Sequence, residues 1–106
     1  MTHHDFGSFR LSSAPLKLRL RGKPVELRSQ ALRLLLLLVE NRGRVVSHEE
    51  IRQWIWGNRA VDHVKAIPLL VRDVRDALME TATDPVFLET VPREGYKFAE
   101  AVEQPR

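Results

Sequence analysis

The 106-residue chain contains no cysteine, which excludes disulfide bonds and metal sites built on thiolates. This composition fits the reducing cytoplasm, where we expect the protein to work. The longest uninterrupted apolar run is the six residues 34–39, far short of the roughly 18 that a membrane-spanning helix needs. The first six residues lack the basic segment and apolar core of a secretory signal, so we expect neither export nor membrane contact by this segment.

Motifs of catalysis and cofactor binding are also missing from the sequence. There is no glycine-rich phosphate loop, no nucleophile elbow and no zinc-protease pair of histidines. His48 and His63 are isolated, without a second ligand at metal spacing. We therefore expect no enzymatic activity, no metal and no other cofactor.

The composition that is present predicts one globular domain with an uneven charge. Apolar residues make up 43% of the chain and charged residues 29%, as in ordinary soluble proteins. Residues 1–47 carry nine Lys or Arg and three carboxylates, whereas residues 48–106 carry eight and eleven. The basic first half predicts attraction to a polyanion.

Short alternations of apolar and polar residues predict a small antiparallel sheet at the N-terminus. They cover residues 9–11, 16–20 and 25–27. The intervening runs 12–15 and 21–24 contain turn-forming residues.

The pattern then changes to that of helices. Residues 29–41 lack glycine and proline and are apolar on nearly every side, which predicts a central buried helix ended by Gly43. A capping box, Ser47 with Glu50 three residues later, opens a second helix that Gly57 ends. A third helix is predicted by apolar residues at helical spacing, namely Ile67, Leu70, Val71, Val74 and Leu78.

Two further stretches read as β-structure. Residues 44–46 suffice for one short strand before the second helix. After the third helix, strand-like segments at 87–91 and 96–98 flank the turn Pro92-Arg-Glu-Gly95, which predicts a hairpin.

Three helices followed by a hairpin form the plan of a winged helix, and the residues resemble one family of such domains. Val25-Glu-Leu27, Arg44-Val-Val-Ser-His-Glu-Glu50 and Ile55-Trp-Gly57 are similar to the C-terminal effector domains of OmpR-type response regulators. Phe87-Leu-Glu-Thr-Val-Pro-Arg-Glu-Gly-Tyr-Lys-Phe98 resembles the CadC-like branch, whose wing typically reads F-I-E-T-L/V-P-R-R-G-Y-R-F. The resemblance covers residues 9–102.

The resemblance implies an α+β fold, a winged helix-turn-helix with a four-stranded N-terminal antiparallel sheet, three helices and a C-terminal β-hairpin wing. It places this domain at residues 9–102, between an N-terminal tail of residues 1–8 and a C-terminal tail or linker of residues 103–106. The implied function is a sequence-specific DNA-binding module of a transcriptional regulator, with the third helix in the major groove and the wing on the backbone or minor groove. The alternative is a winged-helix protein-interaction domain that has lost DNA binding.

The resemblance also assigns candidate DNA contacts to the exposed face of the third helix and to the wing. These candidates are Lys65, Leu69, Arg72 and Arg75 on the helix and Arg93 and Lys97 on the wing. Leu69 would touch a thymine methyl, whereas Arg75 has pairing with a carboxylate as its alternative role. Double-stranded DNA is the expected partner; RNA polymerase or another protein, and a homodimer on DNA, are left open.

Four other residues are expected to serve mainly the fold. Gly95 is expected at a positive-φ turn position, and Tyr96 is expected to pack the wing on the helices. Trp54 and Trp56 are expected in the core, with a phosphate contact as the family-based alternative for Trp56.

Departures from the family pattern change three helix boundaries. Arg28 stands where a threonine N-cap is usual, so the first helix is expected to begin at Ser29. Pro68 predicts that the third helix begins near residue 67 or kinks there. Met79 replaces a common glycine, which predicts a longer third helix.

Acidic residues also depart from the pattern. Asp73, Asp76 and Glu94 are expected on or beside the DNA face, and each carboxylate there would oppose phosphate binding. The isolated domain is therefore expected to bind DNA weakly. The operator, the inducing signal and the oligomeric state stay open, as does the presence of a receiver, sensor or transmembrane segment in the full-length chain.

Overall fold

The computed structural model describes residues 3–81, 83 and 85–99. Its elements are β1 (His3–Phe6), β2 (Phe9–Ser13), β3 (Leu16–Leu20), β4 (Lys23–Val25), α1 (Ser29–Glu40), β5 (Val45–Ser47), α2 (His48–Trp56), α3 (His63–Ala77), β6 (Leu88–Val91) and β7 (Gly95–Phe98). Strands β1 to β4 form one antiparallel sheet in sequence order. The second sheet has the order β5-β7-β6, so the hairpin β6–β7 is the wing.

Tight turns set the register of the N-terminal sheet. Leu20 pairs with Lys23, and the two residues between them, Arg21 and Gly22, have φ values of 52° and 83°. Positive φ at both positions is the geometry of a type I′ turn, whose twist matches that of the strands it joins. Strand β4 therefore begins at Lys23, inside the run expected to be a turn, and ends at Val25.

The expected N-terminal tail of residues 1–8 is wrong, because His3–Phe6 is the first strand of the sheet. Phe6 is fully buried, and its ring lies 5.5, 5.3 and 5.1 Å from the rings of Phe9, Phe87 and Phe98. This aromatic cluster joins the N-terminal sheet to the wing strands. The expected C-terminal tail or linker, residues 103–106, lies outside the described residues.

Helix α1 is the centre of the core, as its composition predicted. It packs against both other helices and against strands β3 and β7. Its buried residues are Ala31, Leu34, Leu35, Leu37, Leu38 and Val39. The helix begins at Ser29 as expected, and Arg28 occupies the N-cap position without a side-chain capping hydrogen bond to the described residues.

Helix α2 opens with the predicted capping box. The Glu50 amide donates to Ser47 Oγ at 3.1 Å, and Glu50 Oε1 accepts from the Ser47 amide at 3.0 Å. Arg44 adds an ion pair to the same carboxylate at 2.9 Å. Together these donors hold the pKa of Glu50 at about 2, well below its ordinary value, with the Arg44 hydrogen bond as the largest cause.

Only one of the two tryptophans lies in the core. Trp56 is buried, which also leaves little of it to reach a phosphate. Trp54 is 38% exposed, so its expected place in the core is wrong. Its ring lies under the guanidinium of Arg33 instead, and its Nε1 donates to the Arg33 carbonyl at 2.8 Å.

Helix α3 begins at His63, so the expected start near residue 67 is wrong. The Ala66 amide already donates to the Asp62 carbonyl at 3.0 Å, two residues before Pro68. Pro68 removes the amide that would donate to the Val64 carbonyl. Val64 is 73% exposed and lies in the first turn, so the missing bond falls at the exposed start of the helix.

Helix α3 ends at Ala77, so the expectation that Met79 lengthens it is also wrong. Met79 has a φ of 59°, in the left-handed region. The Glu80 amide donates to the Arg75 carbonyl at 3.0 Å, and the Met79 amide donates to the Asp76 carbonyl at 3.1 Å. This pair of bonds is a Schellman motif, in which Met79 adopts the conformation that glycine usually takes.

Candidate nucleic-acid interface

The exposed face of α3 carries three of the candidate contacts. Lys65, Leu69 and Arg72 are all exposed, and Leu69 is exposed to 61%. Spacings of four and three residues place them on one side of the helix, opposite its buried residues. We call this row, with Asp76 four residues further on, the α3 stripe. Lys65 belongs to it because the helix begins at His63.

Arg75 lies off the α3 stripe, on the flank that faces the wing. Its side chain is buried, and its Nη2 donates to the Leu88 carbonyl at 3.0 Å and to Thr90 Oγ1 at 2.8 Å. Both expected roles of Arg75 are therefore wrong: the guanidinium neither faces outward to DNA nor pairs with a described carboxylate. Its partners are a carbonyl and a hydroxyl of strand β6.

The acidic residues near the α3 stripe have different surroundings. Asp73 lies on the flank opposite Arg75 and forms an ion pair with Arg28 at 3.0 Å. Asp76 is exposed on the α3 stripe itself, and Glu94 is exposed at the wing tip. Of the three, Asp76 and Glu94 are thus the carboxylates that would approach phosphates most directly.

The wing tip is the turn of residues 92–94. The Glu94 amide donates to the Val91 carbonyl at 3.1 Å and closes the turn. Arg93 is exposed there with a φ of 68°, so an arginine adopts the left-handed conformation within the turn. Its side chain therefore projects from the outermost part of the hairpin.

Lys97 is set back from the wing tip. It lies on β7, the middle strand of the sheet, between Val45 on one side and Glu89 on the other. Its side chain is half-buried. It is therefore a less accessible cation than Arg93.

Gly95 and Tyr96 serve the fold of the wing. Gly95 has a φ of 157°, and a Cβ atom there would lie 2.0 Å from the carbonyl oxygen of Val46. Glycine is thus needed because β7 approaches β5 so closely. Tyr96 is buried, which raises the pKa of its hydroxyl, and its ring meets the His48 ring edge-on at 5.7 Å.

A buried carboxylate that sequence reasoning missed holds the start of β6. Glu80 is 7% exposed, and its two oxygens accept from the amides of Phe87 and Leu88, both at 2.9 Å. No local pattern signals this role, because a glutamate just after a helix is usually exposed.

The structure also separates the basic half of the sequence from the candidate contacts. Lys17 and Arg19 lie on β3 and Lys23 on β4, in the N-terminal sheet. Arg10 in the same sheet is bound by Asp5 at 2.7 Å, which raises the pKa of Arg10 and lowers that of Asp5. The α3 stripe and the wing belong to the acidic half.

The described residues also bear on membrane-spanning helices and metal sites. Among residues 3–81, 83 and 85–99, no helix is both long enough and apolar enough to cross a membrane. Within the same ranges, no three histidine or carboxylate side chains form a group that could hold a metal ion.

Sequence comparison finds regulatory proteins. Residues 22–98 match the family described as transcriptional regulatory protein, C terminal, which is not an enzyme class. The sensory transduction protein RegX3 of Mycolicibacterium smegmatis is 33% identical over 76 residues, covering 72% of this chain and 33% of RegX3. The response regulator ArlR of Staphylococcus saprophyticus is 32% identical over 80 residues, covering 76% and 36%. The chain thus spans about a third of the length of these relatives.

Structural comparison finds the same fold in DNA-binding domains. The RstA DNA-binding domain of Klebsiella pneumoniae, solved in complex with the RstA box, matches with a TM-score of 0.83 at 22% identity, covering 95% of this chain and 100% of that one. The response regulator DrrB of Thermotoga maritima, an OmpR/PhoB homologue, gives 0.82 at 26% identity, covering 92% and 44%. The DNA-binding domain of Escherichia coli CadC gives 0.75 at 20% identity, covering 98% and 100%. These matches confirm the α+β winged helix.

Proposed function

Because this chain belongs to the family of C-terminal domains of transcriptional regulatory proteins, as its resemblance to OmpR- and CadC-type regulators implied, we propose that it binds double-stranded DNA and regulates transcription. The α3 stripe carries this proposal, since Lys65, Leu69 and Arg72 are exposed together beside a wing whose tip presents Arg93. An exposed helix fits the major groove, where base edges can be read, and a hairpin can reach the neighbouring backbone. The RstA domain with the same fold was solved on its DNA box.

The exposed side chains divide into those proposed to contact bases and those proposed to contact phosphates. Arg72 in the middle of the α3 stripe would read a guanine, and Leu69 one turn earlier would touch a thymine methyl. Lys65 and Arg93 would bind phosphates and fix the orientation of the domain. Lys97 would add a weaker phosphate contact, because it is half-buried and set back from the tip.

The proposal also includes a second copy of the domain and protein partners. Two copies would bind neighbouring half-sites as a homodimer on DNA. RNA polymerase or another protein would approach a surface that DNA leaves free. The exposed ring of Trp54, on α2 next to Leu37 and Glu49, offers such a surface. A domain that acts on chromosomal DNA would work in the cytoplasm.

A mobility-shift titration on duplex DNA at two salt concentrations tests the proposal. If Lys65, Arg93 and Lys97 each neutralise about one phosphate while Arg72 contacts a base, log K against log[salt] should have a slope of roughly −3. No binding at low salt would instead favour the alternative, a winged helix that serves protein interactions.

A matched pair of double variants locates the DNA surface. Lys65→Ala with Arg72→Ala removes two charges from the α3 stripe, and Lys17→Ala with Arg19→Ala removes two from the N-terminal sheet. The first pair should weaken binding by at least about tenfold and flatten the salt slope by about one, and the second should do much less. Equal losses would show that DNA does not bind at the α3 stripe.

A further inference from the structure

Two buried charged side chains join the end of α3 to strand β6 of the wing. Arg75 donates to Leu88 and Thr90, and Glu80 accepts from Phe87 and Leu88. We propose that Arg75 is a positioning residue, which holds the wing on α3 so that Arg93 and the α3 stripe reach one duplex together. This inference rests on the proposed DNA binding and explains how two separate contact surfaces act as one.

The positions of the bonded residues make the connection short. Arg75 comes three residues after Arg72 on the same helix. Thr90 comes three residues before Arg93, on the strand that leads to the wing tip. The hydrogen bond of 2.8 Å between Arg75 Nη2 and Thr90 Oγ1 therefore joins the last turn of the reading helix to the base of the tip.

Strand β6 needs this support because it is the edge strand of the wing. In the sheet order β5-β7-β6, β7 is its only partner strand among the residues that the structure describes. On the side of α3, Glu80 holds the first amides of the strand and Arg75 holds a carbonyl and a hydroxyl further along. Bonds to charged groups are stronger and more directional than neutral ones, so they fix orientation as well as contact.

Stability alone is a poor reason for burying Arg75. Its Nε is buried without a hydrogen-bond partner among residues 3–81, 83 and 85–99, and both of its recorded bonds use Nη2. Burying a cation costs desolvation energy that apolar side chains of similar size would avoid. An apolar pair would lack the directional hydrogen bonds that define the angle between α3 and β6. Orientation is therefore the contribution that we assign to Arg75.

The test uses Thr90, because removing Arg75 itself can unfold the domain. Thr90→Val keeps the shape and the strand preference but deletes the hydroxyl acceptor nearest the wing tip, leaving the bond to the Leu88 carbonyl, and Thr90→Ser keeps the hydroxyl as the conservative control. DNA affinity is measured for each variant alone and combined with Arg93→Ala or Lys65→Ala, giving double-mutant cycles. In the wild-type background, Arg93→Ala should weaken binding by about three- to tenfold.

A positioning role predicts a specific coupling. With Thr90→Val present, the loss caused by Arg93→Ala should fall below about twofold, and the loss caused by Lys65→Ala should stay unchanged. Thr90→Ser should restore the full effect of Arg93→Ala. Simple additivity of Thr90→Val and Arg93→Ala would overturn the inference.

Amide hydrogen exchange in the free domain separates this inference from the proposed function. Thr90→Val should speed exchange in residues 90–97 and leave α1 unaffected, and Thr90→Ser should match the wild type. If the wild type fails to bind DNA at low salt, the proposed function is wrong. The hydrogen-exchange measurement still tests the link between Arg75 and the wing in that case. Unchanged exchange in Thr90→Val would overturn that link.

Discussion

At Met79 the backbone carries a side chain where glycine is the usual residue. Its φ of 59° strains any residue with a Cβ, and the side chain is 72% exposed, so it contributes little packing. We expect Met79→Gly to raise the free energy of unfolding by up to about 1 kcal/mol, even after the entropy cost of glycine. Urea denaturation measures this gain. Met79→Ala is the control: it keeps the strain, so an equal gain from alanine would contradict the explanation.

Gly95 presents the opposite case, in which a side chain has no room. The carbonyl of Val46 lies where a Cβ would be placed, at 2.0 Å, and it belongs to the backbone of the paired strand. Gly95→Ala should therefore cost more than about 3 kcal/mol of stability or separate β7 from β5. Gly22→Ala is the matched control, because Gly22 has a φ of 83° but no atom within 4 Å of the added Cβ. Similar losses at both glycines would mean that backbone strain, not crowding, decides.

At the scale of elements, Pro68 tests how a helix tolerates an internal proline. Pro68→Ala restores the amide donor to the Val64 carbonyl and should stabilise the domain by about 1–3 kcal/mol. Because α3 already begins at His63, far-ultraviolet circular dichroism should show almost no added helix. An increase of a full helical turn would place the start of the helix in solution near residue 67 instead.

The start of α2 carries a pH-dependent contribution. Glu50 has a folded pKa of about 2, lowered from 4.5 mainly by Arg44 and then by Ser47. A lowered carboxylate pKa stabilises the fold above the unfolded pKa, and this stabilisation is lost as pH falls from about 4.5 to about 2. Glu50→Gln keeps the capping geometry but removes the charge, so the variant should be less stable than the wild type near neutral pH, and this difference should close as pH falls through about 2. Thermal unfolding across this pH range measures the difference in stability between the two proteins. A difference that stays constant would refute the role of the Glu50 charge.

The elements that sequence reasoning predicted are those specified by local signals. The capping box at Ser47, the buried face of α3 and the turn of the wing each depend on residues within a few positions of one another. Strand β1 was not predicted because only Phe6 of its four residues is buried, so its sequence shows no alternation of apolar and polar residues. The start of α3 was misplaced because Pro68 removes only its own amide bond, whereas the preceding turn closes without that amide, as the Ala66 bond to Asp62 shows.

In the candidate site, too, the residues predicted correctly are those that local spacing specifies. The grouping of Lys65, Leu69 and Arg72 follows from helical spacing alone. The burial of Arg75 does not, because its flank becomes an interior only when β6 folds against it. The role of Glu80 is equally non-local, since its partners lie seven and eight residues later.

At the scale of the whole molecule, the basic half of the sequence does not form the candidate DNA-binding surface. The basic half forms the N-terminal sheet and α1, whereas the α3 stripe and the wing come from the acidic half. Asp76 lies within the α3 stripe, and Glu40 is an exposed carboxylate at the end of α1. These two residues allow the placement of charge to be tested at constant net charge.

Asp76→Lys and Glu40→Lys each change the net charge by two, from +3 to +5. If DNA lies on the α3 stripe, Asp76→Lys should raise non-specific affinity about tenfold at low salt and steepen the salt slope by about one. Glu40→Lys should give a clearly smaller gain. Mobility shifts that increase equally for both would point to long-range attraction without a defined contact face.

The aromatic cluster around Phe6 gives the domain a mechanical property. Strand β1 is the outer strand of its sheet, and its last residue is the ring against which Phe87 and Phe98 rest. Tension applied at the N-terminal end would therefore peel away one strand and at the same time withdraw a support from beneath the wing. Because Arg75 would still hold β6 on α3 through Leu88 and Thr90, a tether attached at that end would weaken the aromatic support of the wing first.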